Sequence, residues 1–337
     1  MQQRKSIYVL STGGTISMQK SAQGLVPSPK HLEQCMQKLP ELQNPDMPLY
    51  TLEEYERPLD SANMTPEHWL EIGQKIVANY AKYDGFVILH GTDSMAYTAS
   101  ALSFILENLA KPVILTGAQL PLFVTRSDAR ENLINAMLFA GYSTIPEVCI
   151  YFNNKLLRGN RAKKIDASSF TAFASPNFPT LGKVGTEVSV RKSLMRSMPK
   201  QALHLQTLNQ VNMIALRIFP GMSLSVLEKI IAEPIEVLLL ETYGLGTAPE
   251  NPAFLHLIQR AIKQGIVIVN CSQCPTAKVR MGVYSSGSAL SAAGVISAGD
   301  MTAEASLTKL FYLFSKKLTI AEIKTQFTHD LRGELTL

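Results

Sequence analysis

No hydrophobic run in this chain is long enough to span a bilayer. The longest uncharged, apolar-rich stretch, residues 112–125, contains Gly117 and Pro121 and falls short of the roughly 20 residues a membrane helix needs, so it reads as a core strand followed by a loop. Near the N-terminus only residues 7–10 are consecutively apolar, too few for the apolar segment of a secretory signal, and the expected compartment is the cytoplasm. Neither sign of charge dominates. Against 27 acidic residues stand 32 Lys and Arg, and the densest basic cluster, "VRKSLMR" at 190–196, reads as a solvated segment. Without a basic stripe no nucleic-acid partner is expected.

Cysteine is scarce. Cys35, Cys149, Cys271 and Cys274 are too few and too scattered for a disulfide framework in 337 residues. "CSQC" at 271–274 has the spacing of a redox pair or half a zinc site, but no second ligand pair matches it and no helix start is evident there. These cysteines are read as structural or ligand-lining thiols. His31, His68, His90, His204, His256 and His329 show no metal-ligand spacing, so no metal is expected. The Gly-x-Gly-x-x-Gly and Gly-x-x-x-x-Gly-Lys spacings that shape a phosphate cradle are missing from "STGGTIS".

What is present is a globular composition, 46% hydrophobic and 18% charged, in a chain long enough for two domains. Short apolar runs, "SIYVLS", "GFVILH", "PVILTG" and "EVCIYF", alternate with helical patterns and suit a buried parallel sheet. Thr65 followed by Pro66 and Glu67 reads as a helix start, with Trp69, Ile72, Ile76, Val77 and Tyr80 on its apolar face. A second helix places Met95, Ala99, Leu102 and Leu106 on one face. The second half repeats the scheme with "MIALRIF", "EVLLLE" and "IVIVNC", helices after Gly221 and over 251–264, and terminal helices over 303–314 and 319–328. The expected fold is therefore α/β in two domains: a larger N-terminal domain, residues 1–187, with a mostly parallel sheet flanked by helices, a linker over 188–212, and a smaller α/β domain over 213–337.

In an open α/β sheet ligands bind beyond the carboxyl ends of the strands. That rule selects "STGGTIS" after the first strand and "HGTDS", residues 90–94, after the second. After Ile16 comes a long polar segment, "SMQKSAQGLVPSP", expected to be a mobile loop ahead of a helix beginning near Pro29. Each motif sets a threonine hydroxyl beside glycine, which lets the backbone approach a ligand. A threonine is a weak nucleophile and needs a base; a neutral lysine oriented by a carboxylate can serve, with Asp93 as the carboxylate and Lys163 or Lys164 as the lysine. Neutralising a lysine near pH 7.4 costs roughly 4 kcal/mol, which requires substantial burial. Backbone amides of Gly14, Thr15 or Thr92 can hold an oxyanion. The plainer reading is that both motifs are tight turns, with Asp93 capping the helix that begins at Met95 and His90 a hydrogen-bonded structural histidine.

"VLSTGGTIS" and "GFVILHGTDSM", with "DSANMTP", "RGNRAKK" and "AFASPN" in order and "LRGELT" at the end, resemble the L-asparaginase family, in particular its cytoplasmic type I bacterial members. The resemblance implies hydrolysis of L-asparagine to L-aspartate and ammonia without a cofactor, in a homo-oligomer, dimer or tetramer. It implies that Thr15 is the nucleophile and that Thr92, Asp93 and Lys164 form a second hydroxyl–carboxylate–lysine set. Asp60 and Ser61, with Thr92 and Asp93, would bind the substrate. Lys164 rather than Lys163 keeps the family's spacing. It also implies an effector site that would include Glu241, Ser272 and Cys274.

Three departures qualify the resemblance. Leu25 stands where the family's loop usually carries a tyrosine that touches the nucleophilic threonine, Ser94 replaces a threonine, and Thr247 replaces an asparagine. Glu241, where one pattern has arginine, would repel an effector's carboxylate and weaken cooperativity. The rival readings are an asparagine-binding sensor with little turnover and an amidotransferase component that feeds ammonia to a partner.

Overall fold

The computed structural model describes residues 4–21, 24–27, 30–142 and 145–336. The chain divides into two compact units, Met1–Gln206 and Thr207–Leu337. Each carries its own α/β sheet and its own apolar core.

In the first unit the chain runs β1 (Ser6–Gly13), β2 (Met18–Ser21), β3 (Gly24–Pro27), α1 (His31–Gln37), β4 (Leu49–Leu59), α2 (Pro66–Asn79), β5 (Gly85–Leu89), α3 (Met95–Ile105), β6 (Leu106–Glu107), β7 (Val113–Thr116) and α4 (Ala129–Gly141). It continues through β8 (Val148–Phe152), β9 (Lys155–Arg158), β10 (Lys163–Lys164), β11 (Phe173–Ala174), β12 (Gly182–Val184), β13 (Val188–Val190) and β14 (His204–Leu205). Eight strands form one sheet in the order β13-β12-β9-β8-β7-β5-β1-β4. β4, β1, β5, β7 and β8 are mutually parallel, and β9, β12 and β13 extend the sheet antiparallel.

The register sets Val9, Val87, Ile114 and Cys149 side by side across β1, β5, β7 and β8, all fully buried. α4 packs Leu133, Met137 and Phe139 into the same cluster. Apolar runs without alternation are what a sheet covered on both faces requires. The first-unit runs read from sequence as strands are β1, β5, β7 and β8. β4 escapes such a reading because it is an edge strand, "LYTLEEYERPL", whose side chains are half-exposed and largely polar.

Thr65 caps α2 through a reciprocal box with His68, whose Nδ1 accepts from the Thr65 amide at 3.1 Å. Trp69, Ile72 and Ile76 are buried as the periodicity requires, while Val77 is exposed at the helix's end. The segment after Ile16, expected as a mobile loop, is a 3-10 turn over Thr15–Ser17 followed by the antiparallel β2–β3 pair, with Lys20 opposite Leu25. The expected helix start at Pro29 lies outside the described residues, and α1 is described from His31. Residues 188–212, expected as a linker, include β13 and β14, which pair with β12 and β6 inside the first unit. Within the same segment the Leu194 carbonyl accepts from Arg158 and the Arg196 amide donates to Glu147.

The second unit contains β15 (Met213–Arg217), α5 (Leu224–Ala232), β16 (Val237–Thr242), α6 (Pro252–Lys263), β17 (Val267–Ser272), α7 (Ser285–Ala293), β18 (Ile296–Ser297), α8 (Ala303–Phe314) and α9 (Ile320–Phe327). β15-β16-β17-β18 form a parallel sheet. Leu238, Leu240 and Ile268 pack there against Leu227, Phe254 and Ile258. α7, "SSGSALSAA", has no apolar stripe and left no signal in the sequence. Among the described residues no helix is long and apolar enough to cross a membrane.

Candidate active site

The carboxyl ends of β4, β1, β5 and β7 deliver the loops that begin at Asp60, Gly14, His90 and Gly117 to one edge of the sheet. A register shift between Ser11 and Gly13 brings Gly13 opposite Leu59, so that Asp60 and Ser61 follow directly beside the first-strand motif. Contact between these loops is close enough to demand glycine. A Cβ on Gly14, whose φ is +85°, would lie 2.5 Å from the Gly91 nitrogen, and one on Gly91 would lie 2.5 Å from Ser61 Oγ. Thr15 and Thr92, each one residue further along, are therefore held on adjoining strand ends.

Lys164 is carried by β10, which pairs antiparallel with β11. Its Nζ donates to Thr92 Oγ1 at 2.8 Å and to Asp93 Oδ1 at 2.6 Å. The lysine side chain is 18% exposed and the Asp93 side chain 68%, so the lysine is the more shielded member of the pair. Asp93 does not cap α3. The N-cap is Ser94, with no side-chain capping bond, and its hydroxyl donates to the Ser61 carbonyl at 2.5 Å. Asp60 caps the short turn Ser61–Asn63 through Oδ1, which accepts from the Ala62 amide at 3.0 Å, and Ser61 is buried. The Thr15 side chain is half-buried, and its hydroxyl makes no hydrogen bond among the described residues.

His90 is fully buried. Its Nδ1 meets the Gly91 carbonyl at 2.7 Å and its Nε2 meets Thr98 Oγ1 at 2.9 Å. The first contact makes Nδ1 the donor and leaves Nε2 to accept from the threonine. Burial drives its pKa down to about 4, against a smaller opposing effect of the Gly91 carbonyl. His90 is thus a neutral support for the Gly91–Thr92 turn.

Gln119 was not singled out by sequence reasoning, since a lone glutamine after a strand carries no motif. Its Oε1 accepts from Thr92 Oγ1 at 3.3 Å and its Nε2 donates to the Ser169 carbonyl at 3.2 Å.

The other predicted residues lie in the second unit. Glu241 accepts from Arg217 Nε at 3.1 Å, Ser272 Oγ donates to the Gly244 carbonyl at 2.6 Å, and the Cys274 amide donates to Ser272 Oγ at 3.0 Å. Thr247 Oγ1 donates to the Tyr243 carbonyl at 3.3 Å. All four cysteines are free thiols; Cys271 is buried at the end of β17 and Cys274 is exposed. Among the described residues no cluster of His, Cys, Asp or Glu could hold a metal ion.

A lysine bonded to both a hydroxyl and a carboxylate, at the carboxyl edge of a parallel sheet, is the equipment of an α/β amidohydrolase. Residues 6–196 match the family model described as Asparaginase, N-terminal, and residues 212–327 that of the Glutaminase/Asparaginase C-terminal domain. The chain is 48% identical to L-asparaginase 1 of Escherichia coli (strain K12) over 334 residues, 99% of each protein. It is 41% identical over 355 residues to a 60 kDa lysophospholipase of Mus musculus, covering 99% of this chain and 63% of that protein. The crystal structure of L-asparaginase I from Vibrio cholerae superposes with a TM-score of 0.92 at 45% identity, covering 99% of this chain and 100% of that one. The chain belongs to the asparaginase family.

Proposed function

We propose that this enzyme hydrolyses the side-chain amide of L-asparagine, giving L-aspartate and ammonia. The observation that carries the reading is the contact of Lys164 Nζ with both Thr92 Oγ1 and Asp93 Oδ1, at 2.8 and 2.6 Å. Thr15 Oγ attacks the amide carbon, the C–N bond breaks, and ammonia leaves with the threonine's proton. The resulting ester is cut by a water whose proton passes toward the Thr92–Lys164 pair; the new C–O bond forms aspartate and Thr15 recovers its hydrogen. Asp93 keeps Lys164 in place and balances its charge. Exposed Asp60 attracts the substrate's ammonium group, and Ser61 with the Thr92–Asp93 turn receives its carboxylate.

Leu25 and a Thr15 hydroxyl with no hydrogen bond among the described residues favour one competing reading, a protein that binds asparagine and barely turns it over. Ammonia release by the purified enzyme, compared with Thr15→Ala and Thr92→Ala, separates the two; a sensor would gain thermal stability from asparagine while releasing no ammonia. An amidotransferase component would release ammonia only with its partner.

The same reading makes the enzyme a cytoplasmic homo-oligomer. Four free thiols suit a reducing compartment. Phe123 and Ile165, 55% and 51% exposed on the segments that carry Gln119 and Lys164, suit burial against a second copy.

A further inference from the structure

Gln119 occupies a defined place in a chain of donors and acceptors. Its amide orientation is fixed from behind, because Nε2 donates to the Ser169 carbonyl at 3.2 Å, and this leaves Oε1, an acceptor only, facing the Thr92 hydroxyl at 3.3 Å. The Thr92 hydrogen is therefore directed at Gln119 and its lone pairs at Lys164 Nζ, 2.8 Å away. The backbone under Gln119 is held as firmly. Asp128 accepts from the Gln119 amide with both oxygens, at 3.1 and 3.0 Å, and from the Leu120 amide at 3.1 Å. Asn132 Nδ2 donates to Asp128 and to the Gly117 carbonyl, at 3.1 and 3.0 Å, and its Oδ1 accepts from the Asn153 amide at 3.1 Å.

We propose that Gln119 is a positioning residue for amide hydrolysis: by accepting the Thr92 hydrogen it sets the direction of that hydroxyl and turns its lone pairs toward Lys164 Nζ. This inference rests on the reading of Thr92 and Lys164 given above. Asp128 holds the loop that presents Gln119. The titratable groups on the surrounding segments are otherwise committed: Asp93 to Lys164 itself, Asp60 to the Ala62 amide, Asp128 as above, and Asp166 to the Ser168 and Ser169 amides. Lys163, next to Lys164 on β10, is a further nearby charge.

The test compares kcat and KM for asparagine in the unaltered enzyme, Gln119→Leu and Gln119→Glu. Removing the acceptor in Gln119→Leu is expected to lower kcat about tenfold through a less well-directed hydroxyl, with KM within about threefold. Gln119→Glu keeps an oxygen acceptor for the Thr92 hydrogen, and its kcat is expected within about threefold of the parent. A structural role alone would lower melting temperature and active fraction in both variants without separating kcat from KM. A kcat unchanged in Gln119→Leu, or lowered as far in Gln119→Glu, overturns the proposal, and if the leucine variant does not fold, Gln119→Ala takes its place. Absence of ammonia release from the unaltered enzyme overturns the site reading together with this one, whereas release with kcat unchanged in the leucine variant overturns only the role of Gln119.

Discussion

Thr98 donates its hydroxyl to His90 Nε2 at 2.9 Å, so that a residue on the second turn of α3 fixes the imidazole that supports the Gly91–Thr92 turn. Because burial holds His90 neutral down to about pH 4, the unfolded chain binds a proton between about pH 6.5 and pH 4 that the folded chain refuses. Stability contributed by this site is complete above the unfolded value and is lost as pH falls through that window, by about 3 kcal/mol in total. His90→Gln should flatten the pH dependence of the unfolding free energy there, as measured by urea titration. An unchanged slope would contradict the account.

Leu25 lies in the β2–β3 hairpin, where the resemblance expects a tyrosine within reach of Thr15, and it is 45% exposed. Leu25→Tyr should raise kcat for asparagine by about tenfold, as a hydroxyl able to relay the Thr15 proton is restored. An unaltered kcat would show that this hairpin side chain plays no part in turnover.

Glu241 is bonded to Arg217, and at the effector site that the resemblance implies it offers a carboxylate where one family pattern offers arginine. Like charges disfavour binding of an effector's carboxylate there. Initial rates against asparagine concentration should follow a hyperbola; a clearly sigmoidal curve would contradict this.

In the second unit Lys309 is fully buried, and its ammonium donates to Glu334 Oε1 at 2.5 Å and to the Phe327 and His329 carbonyls at 2.9 and 2.6 Å. Glu334 also accepts from the Leu331 and Arg332 amides, which ties the C-terminal segment to α8. Lys309→Met would strand a buried carboxylate at a cost of about 3–5 kcal/mol. The melting temperature should fall by roughly 10 °C. A melting temperature within a degree or so of the parent would show that the pair contributes little.

Much of the fold was legible because a parallel sheet buried on both faces writes itself as uniform apolar runs. β1, β5, β7 and β8 are such runs, as are β16 and β17 in the second unit. The start of α2 at Thr65 and Pro66 was equally plain. β4 was not, since an edge strand keeps polar side chains, nor was the β2–β3 hairpin, whose polar residues read as loop. At the site the motifs pointed to the glycine turns, to Thr92 with Asp93, and to Lys163 or Lys164. Only the resemblance to the family preferred Lys164, and it is Lys164 Nζ that bonds Thr92 and Asp93. Gln119 and Asp128 remained hidden because their importance lies in hydrogen bonds that converge on Thr92 from a separate loop, and no local pattern records that.

The central claim, a threonine-dependent asparagine amidohydrolase, is tested most directly by ammonia release from L-asparagine by the purified enzyme beside Thr15→Ala and Thr92→Ala. The account predicts release by the parent and a loss of at least about a hundredfold in kcat in each variant, with melting temperatures near that of the parent. Release undiminished in either variant, or none from a folded parent that asparagine stabilises, would contradict it.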